Sequence, residues 1–191
     1  MTVLPVVTVG DPVLRERAQE VTPEQLRSPE VQRLIDDMIE TMRAAGGAGI
    51  AANQVGSLLR IFVVEVADNP RYPYKPPVPL TVAVNPVVEP LDDETAAINE
   101  GCLSVPDLRG EVDRHVRVRV RRLDRDGAEH DETRLGLTAG TFQHELDHLD
   151  GVLFLDRVRD PATFMTWEQF ARHHRDAFVA RAEALTARVG S

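Results

Sequence analysis

Two histidines four residues apart, with a glutamate beside the first, constrain this chain more than any other string in it: His144-Glu145-Leu146-Asp147-His148. On an α-helix, positions i and i+4 share a face with Cβ atoms about 5–6 Å apart, so both imidazoles can converge on one cation. Glu145 then reaches a water on that cation without having to be a ligand. Metal-assisted hydrolysis requires this arrangement. The string lies within residues 137–150, which read as a helix ended by Gly151.

Two histidines leave a catalytic ion short of a third protein ligand. The downstream extension H-x-x-G-x-x-H is absent, because Gly151 follows His148 by three residues but position 154 is Phe. Upstream, the chain's only cysteine stands in Glu100-Gly101-Cys102-Leu103-Ser104-Val105-Pro106, a turn-forming stretch opened by glycine. A lone Cys102 is packing, a ligand or a nucleophile, and it excludes an internal disulfide.

The chain has 191 residues, of which 42% are hydrophobic, enough for one core and one domain over 1–191. Its net charge of −9 gives no global basic field for DNA or anionic lipid. The N-terminus lacks the basic region of a signal peptide, and no apolar run approaches the roughly 20 residues of a membrane span. A cytoplasmic protein without membrane attachment is expected.

Along the chain, Val31, Leu34, Ile35, Met38, Ile39 and Met42 repeat at helical spacing between Ser28, a possible N-cap, and Gly46, a stop. Residues 46–56 are rich in small side chains and lead into a strand-like run from Arg60 to Val66. The proline-rich stretch 68–79 reads as an exposed loop. From Val112 to Leu123, apolar and polar residues alternate, with Val116, Val118 and Val120 opposite Arg117, Arg119 and Arg121, and a turn at 124–127 closes a hairpin. The arginines need only be a solvated face. Residues from Pro161 to about Val189 read as a C-terminal helix. The expected fold class is α+β, with antiparallel strands packed around the central histidine helix.

Three separated strings carry a family resemblance. Gly47-Ala48-Gly49-Ile50-Ala51-Ala52-Asn53-Gln54 resembles the glycine-rich G-x-G-φ-A-A-x-Q of the peptide deformylases, residues 100–104 their E-G-C-φ-S, and residues 143–148 their Q-H-E-φ-D-H, in the family's order and spacing. The resemblance runs to about residue 158. It implies that Cys102, His144 and His148 bind one divalent metal ion and that Glu145 moves the proton when a formyl group leaves an N-formylmethionyl nascent peptide. It further implies that the Gln54 side chain and the Leu103 backbone N–H stabilise the negative oxygen, that Gly49 meets the substrate backbone, and that Leu137, Gly140, Thr141 and His144 line a methionine pocket. Spacing leaves zinc, iron, cobalt and nickel open; the family implies Fe2+ in the cell, replaceable by Zn2+, Ni2+ or Co2+.

Glu100 and Arg114 are placed to form an ion pair behind the site, and Arg109 to meet the substrate backbone. Two other classes compete with this reading: a zinc endopeptidase, disfavoured by the missing downstream ligand, and a metal module without turnover, which would need neither Glu145 nor Gln54. A ribosome contact through Arg172, Arg175, Arg181 and Arg188 is a further expectation.

Overall fold

The computed structural model describes residues 2–67 and 73–191. In chain order it contains α1 (Pro23–Arg27), α2 (Pro29–Ala44), β1 (Gly49–Ala51), β2 (Ile61–Val66), β3 (Val78–Pro90), β4 (Thr95–Cys102), β5 (Val105–His115), β6 (Arg117–Leu123), β7 (Glu129–Leu135), α3 (Gly136–Leu149), α4 (Phe154–Arg157), α5 (Trp167–Gln169) and α6 (Arg175–Val189). A π-helical turn, Phe170–His174, joins α5 to α6. The fold is α+β, as the sequence predicts, and among the described residues the five strand pairs are antiparallel.

Five strands form one sheet in the order β1-β2-β3-β6-β7, and β4 pairs with β5 in a separate ribbon. The apolar run of β2 is buried on both faces of the larger sheet. Ile61 and Val63 meet Ile35, Met38, Ile39 and Met42 of α2. Phe62 and Val64 meet Ala139, Phe142 and Leu149 of α3, where the Phe62 and Phe142 rings cross edge to face at 5.6 Å. Helix α3 thus spends one stripe on the sheet and turns its other side toward the ribbon. Ser28 caps α2 by accepting the Val31 N–H at 3.3 Å, as expected from the sequence.

Three expectations are corrected. The alternation from Val112 to Leu123 is two strands, not one: at Val116 the chain leaves the ribbon for the sheet. There the Val116 N–H donates to Glu94 O at 3.0 Å and its carbonyl accepts from Gly136 at 2.8 Å, so neither group serves a strand ladder. The C-terminal helix starts at Trp167. Pro161–Thr163 is a separate 3-10 turn capped by Asp160, and Thr166 caps α5. Of the stretch 68–79, residues 68–72 lie outside the described residues; Tyr74 and Lys75 are half-buried, and Val78 and Pro79 already belong to β3.

Candidate active site

The β4–β5 ribbon carries the cysteine and α3 carries the histidines, so their approach creates the site. Cys102 is the last residue of β4, is buried, and lies 3.1 Å (Sγ) from His148 Nε2. One ligand atom from each of Cys102, His144 and His148 falls within 4.8 Å of the others, and among the described residues this is the one such His/Cys/Asp/Glu group. A thiolate and two imidazoles form a donor set suited to a divalent transition metal. Two buried atoms, His148 Nδ1 and Glu145 Oε2, make no hydrogen bond inside the protein. A carboxylate oxygen buried without a donor beside three converging ligands fits an ion that brings water with it.

Electrostatics behind the ligands fix His144. Its Nδ1 lies 2.8 Å from Glu100 Oε2, which leaves Nε2 for the ion. Arg114 is buried and holds Glu100 in a two-pronged pair at 2.7 and 3.0 Å. The same guanidinium reaches Asp147 at 2.6 Å, and Asp147 also accepts from Arg157 at 2.7 Å. A line of alternating charge therefore runs from the candidate ligand His144 to half-exposed Arg157. Burial opposes ionisation of Glu100, but Arg114 and His144 overcome it and hold the carboxyl well below the usual range. The predicted Glu100–Arg114 pair is present, extended by two residues that the sequence reading did not include.

Glu145 is buried, and burial pushes its carboxyl up to about 7. A Cβ on Gly49 would collide with the Glu145 carboxylate, so glycine is what lets β1 pass against the acid. Gln54 stands in the 3-10 turn after β1, with its side-chain oxygen accepting the Ala51 N–H at 2.9 Å. Its amide nitrogen is 3.0 Å from Ser104 Oγ and 3.5 Å from Cys102 Sγ, so the donor points into the ligand cluster. Leu103, between Cys102 and Ser104, also lines the cleft, as do Gly49, Arg109, Leu137, Gly140 and Thr141. All the predicted catalytic, substrate-binding and metal-ligating residues but His148 border this one cleft, and His148 contacts it through Cys102.

Four lining or supporting residues carried no sequence signal. Tyr74 and Lys75 reach the cleft from the proline-rich stretch, with Lys75 Nζ donating to Thr141 Oγ1 at 2.9 Å. Phe178 of α6 lines it as well. Asn53, buried, donates its amide to His148 O at 2.5 Å and ties β1's turn to the end of α3.

The polypeptide deformylase family model matches residues 3–163. Peptide deformylase 1 of Corynebacterium efficiens is 46% identical over 164 residues, 85% of this chain and 90% of the relative. The peptide deformylase of Leptospira biflexa is 41% identical over 165 residues, 86% and 92% of the two chains. Among solved structures, a class I type b peptide deformylase from Acinetobacter baumannii with Met-Ala-Ser bound superposes with TM-score 0.79 at 40% identity, covering 82% of this chain and 99% of that one.

Proposed function

Because the chain belongs to the polypeptide deformylase family, hydrolases that remove the formyl group from the N-terminus of newly made polypeptides, we propose a role in that reaction for each residue of the cleft. The observation that carries the assignment is Glu145 Oε2, buried without an internal donor beside the converging candidate ligand atoms of Cys102, His144 and His148. A divalent ion held by Cys102, His144 and His148 would supply an acidified water and polarise the formyl oxygen. Glu145 would take a proton from the attacking water at a carboxylate oxygen and return it to the leaving amine, giving formate and a free amino terminus. The Gln54 amide and the Leu103 N–H donate to the oxygen that becomes negative at the formyl carbon.

Gly49 pairs with the substrate backbone as an added strand, which reads no sequence and suits an enzyme of many nascent chains. Leu137 and Thr141 border the pocket for the methionine side chain, and Arg109 faces the peptide downstream of it. The whole chain, 1–191, acts as one catalytic domain in the cytoplasm, where formylated chains emerge; no helix among the described residues is long and apolar enough to cross a membrane. Fe2+ is the proposed resident ion, with Zn2+, Ni2+ and Co2+ as replacements that the same donors accept.

Formate release from formyl-Met-Ala-Ser by anaerobically purified, metal-loaded protein tests the reading, with Glu145→Gln beside the wild type. The variant should keep its metal and lose about 10²–10⁴-fold in kcat. No release by the loaded wild type would end it, and an unchanged Glu145→Gln would remove Glu145 from its role. Metal analysis of the anaerobic preparation decides for or against iron.

Ribosome contact is proposed through the arginines of the C-terminal run. Arg172, Arg181 and Arg188 already pair with Glu168, Glu111 and Glu94, so the contact should be salt-sensitive. Reversing these charges together with Arg175 should abolish co-sedimentation with ribosomes; undiminished co-sedimentation would discard the idea.

A further inference from the structure

The family match stops at residue 163, yet the chain beyond it folds back onto the cleft. Met165 exchanges both backbone hydrogen bonds with Arg109, at 2.8 and 3.0 Å, as a one-residue antiparallel bridge. Two residues later the Trp167 ring lies 3.9 Å from the Arg109 guanidinium carbon, and Phe170 adds a second ring at 4.3 Å. On its other side Arg109 donates to the Asn99 side chain and carbonyl at 2.5 and 2.7 Å. Gly101 permits this approach, since a Cβ there would come within 3.3 Å of the Trp167 ring. A planar cation held by two rings and a bidentate acceptor has little rotamer freedom left.

Further along, Phe178 is buried against Leu137 and Ile98, lines the cleft, and meets the Tyr74 ring edge to face at 5.2 Å. Gly140 offers no side chain on this stretch of α3, and Ile98 fills the space it leaves.

We propose that the segment from Met165 to Phe178 is part of the substrate site, with Phe178 setting the size of the pocket for the first side chain and Trp167 and Phe170 positioning Arg109 for the peptide backbone. The proposal rests on the deformylase reading and extends it to residues outside the family match. It assigns Phe178 a specificity role and Trp167 a positioning role, neither of which moves a proton. An aromatic wall on a helix, braced by Tyr74, admits a flexible unbranched thioether and limits bulkier side chains. An Arg109 locked before substrate arrives avoids an ordering cost on binding.

The test is steady-state kinetics of the full chain, metal-loaded, on formyl-Met-Ala-Ser, formyl-Met and formyl-Phe-Ala-Ser. Phe178→Ala should lower the preference for Met over Phe in kcat/KM by about tenfold or more, the scale of hydrophobic pocket discrimination. Phe178→Leu, which keeps an apolar contact, should lower it less and decides the matter if the alanine variant does not fold. Trp167→Ala should raise KM for formyl-Met-Ala-Ser about tenfold, with little change for formyl-Met, which lacks the downstream backbone; Trp167→Phe should restore most of the loss. Equal losses on all three substrates, or ratios within twofold of wild type, would overturn the proposal while wild-type formate release left the deformylase reading standing. A wild type that released no formate would instead bring down both.

Discussion

On the side of the cleft that carries the proposed metal ligands, position is held by charge. His144 leans on Glu100, Glu100 on Arg114, Arg114 on Asp147, and Asp147 on Arg157, all within 2.6–2.8 Å at their shortest contacts. On the proposed substrate side, rings and aliphatic groups hold position: Phe178 on Tyr74, Phe178 beside Leu137 and Ile98, Trp167 and Phe170 on Arg109. The two designs fail differently. Removing one member of a buried charge chain leaves its neighbours uncompensated, whereas trimming one ring leaves a gap that neighbours partly refill.

The largest effect should come from breaking the charge chain at its centre. Arg114→Met leaves Glu100 and Asp147 buried without their shared cation, and denaturant unfolding should show a loss of about 3–5 kcal/mol at pH 7. The sign with pH follows from Glu100, whose folded pKa is depressed. The stability it contributes is present above the ordinary carboxylate pKa of about 4.3 and fades as pH falls from there toward the folded value. Wild type and variant should therefore converge in acid. A constant difference down to the acid transition, or a loss under about 1 kcal/mol at pH 7, would show that the chain of charge is not what holds the metal side.

The same contrast explains what the sequence made legible. His144, Glu145 and His148 fall on one face of one helix, so local spacing is enough to read them, and Ser28 announces the start of α2 by a local cap. Gln54, Gly49 and Leu103 were reached only because whole strings resembled a family, and Cys102, singled out as the lone cysteine, became a ligand rather than packing on the same ground. Phe178 and Tyr74 lie 104 positions apart in the chain, and a contact of that span leaves no periodicity to find. The change of sheet at Val116 was hidden for another reason. Val112, Val116, Val118 and Val120 are all buried, so the alternation persists although Val112 packs with Leu153 and Phe154 while Val118 packs with Phe142.

A gentler change sharpens the comparison by separating orientation from stability. Glu100→Gln keeps a hydrogen-bond acceptor near His144 Nδ1 but removes the charge, and Arg114 retains Asp147. Metal affinity, measured by competition with a chelator, should fall about 10–100-fold. Discrimination between formyl-Met and formyl-Phe substrates by the fully loaded variant should stay as in wild type, because the aromatic wall is untouched. A shift in that ratio equal to the loss of affinity would mean that the two sides are one mechanical unit.

The smallest effect lies at Lys75, where the two designs meet. It is the chain's only lysine, and its ammonium bonds Thr141 of the proposed methionine pocket at 2.9 Å. Burial lowers its pKa to about 8, against partial opposition from Glu100 and Glu145. Below that value the charged group is present in both folded and unfolded chains, and the folded one bears the desolvation. Between pH 8 and about 10.4 the folded protein has released the proton and the unfolded chain has not, so stability contributed by this site rises with pH across that window. Relative to Lys75→Met, the wild type should therefore gain unfolding free energy between pH 7.5 and 10, by less than about 1 kcal/mol because part of the side chain meets solvent. Metal content should match in both proteins, since Lys75 lies outside the chain of charge that orients His144. Parallel stability profiles from neutral to alkaline pH would show that the ammonium is solvated and that the pocket end of α3 is held by its apolar neighbours alone.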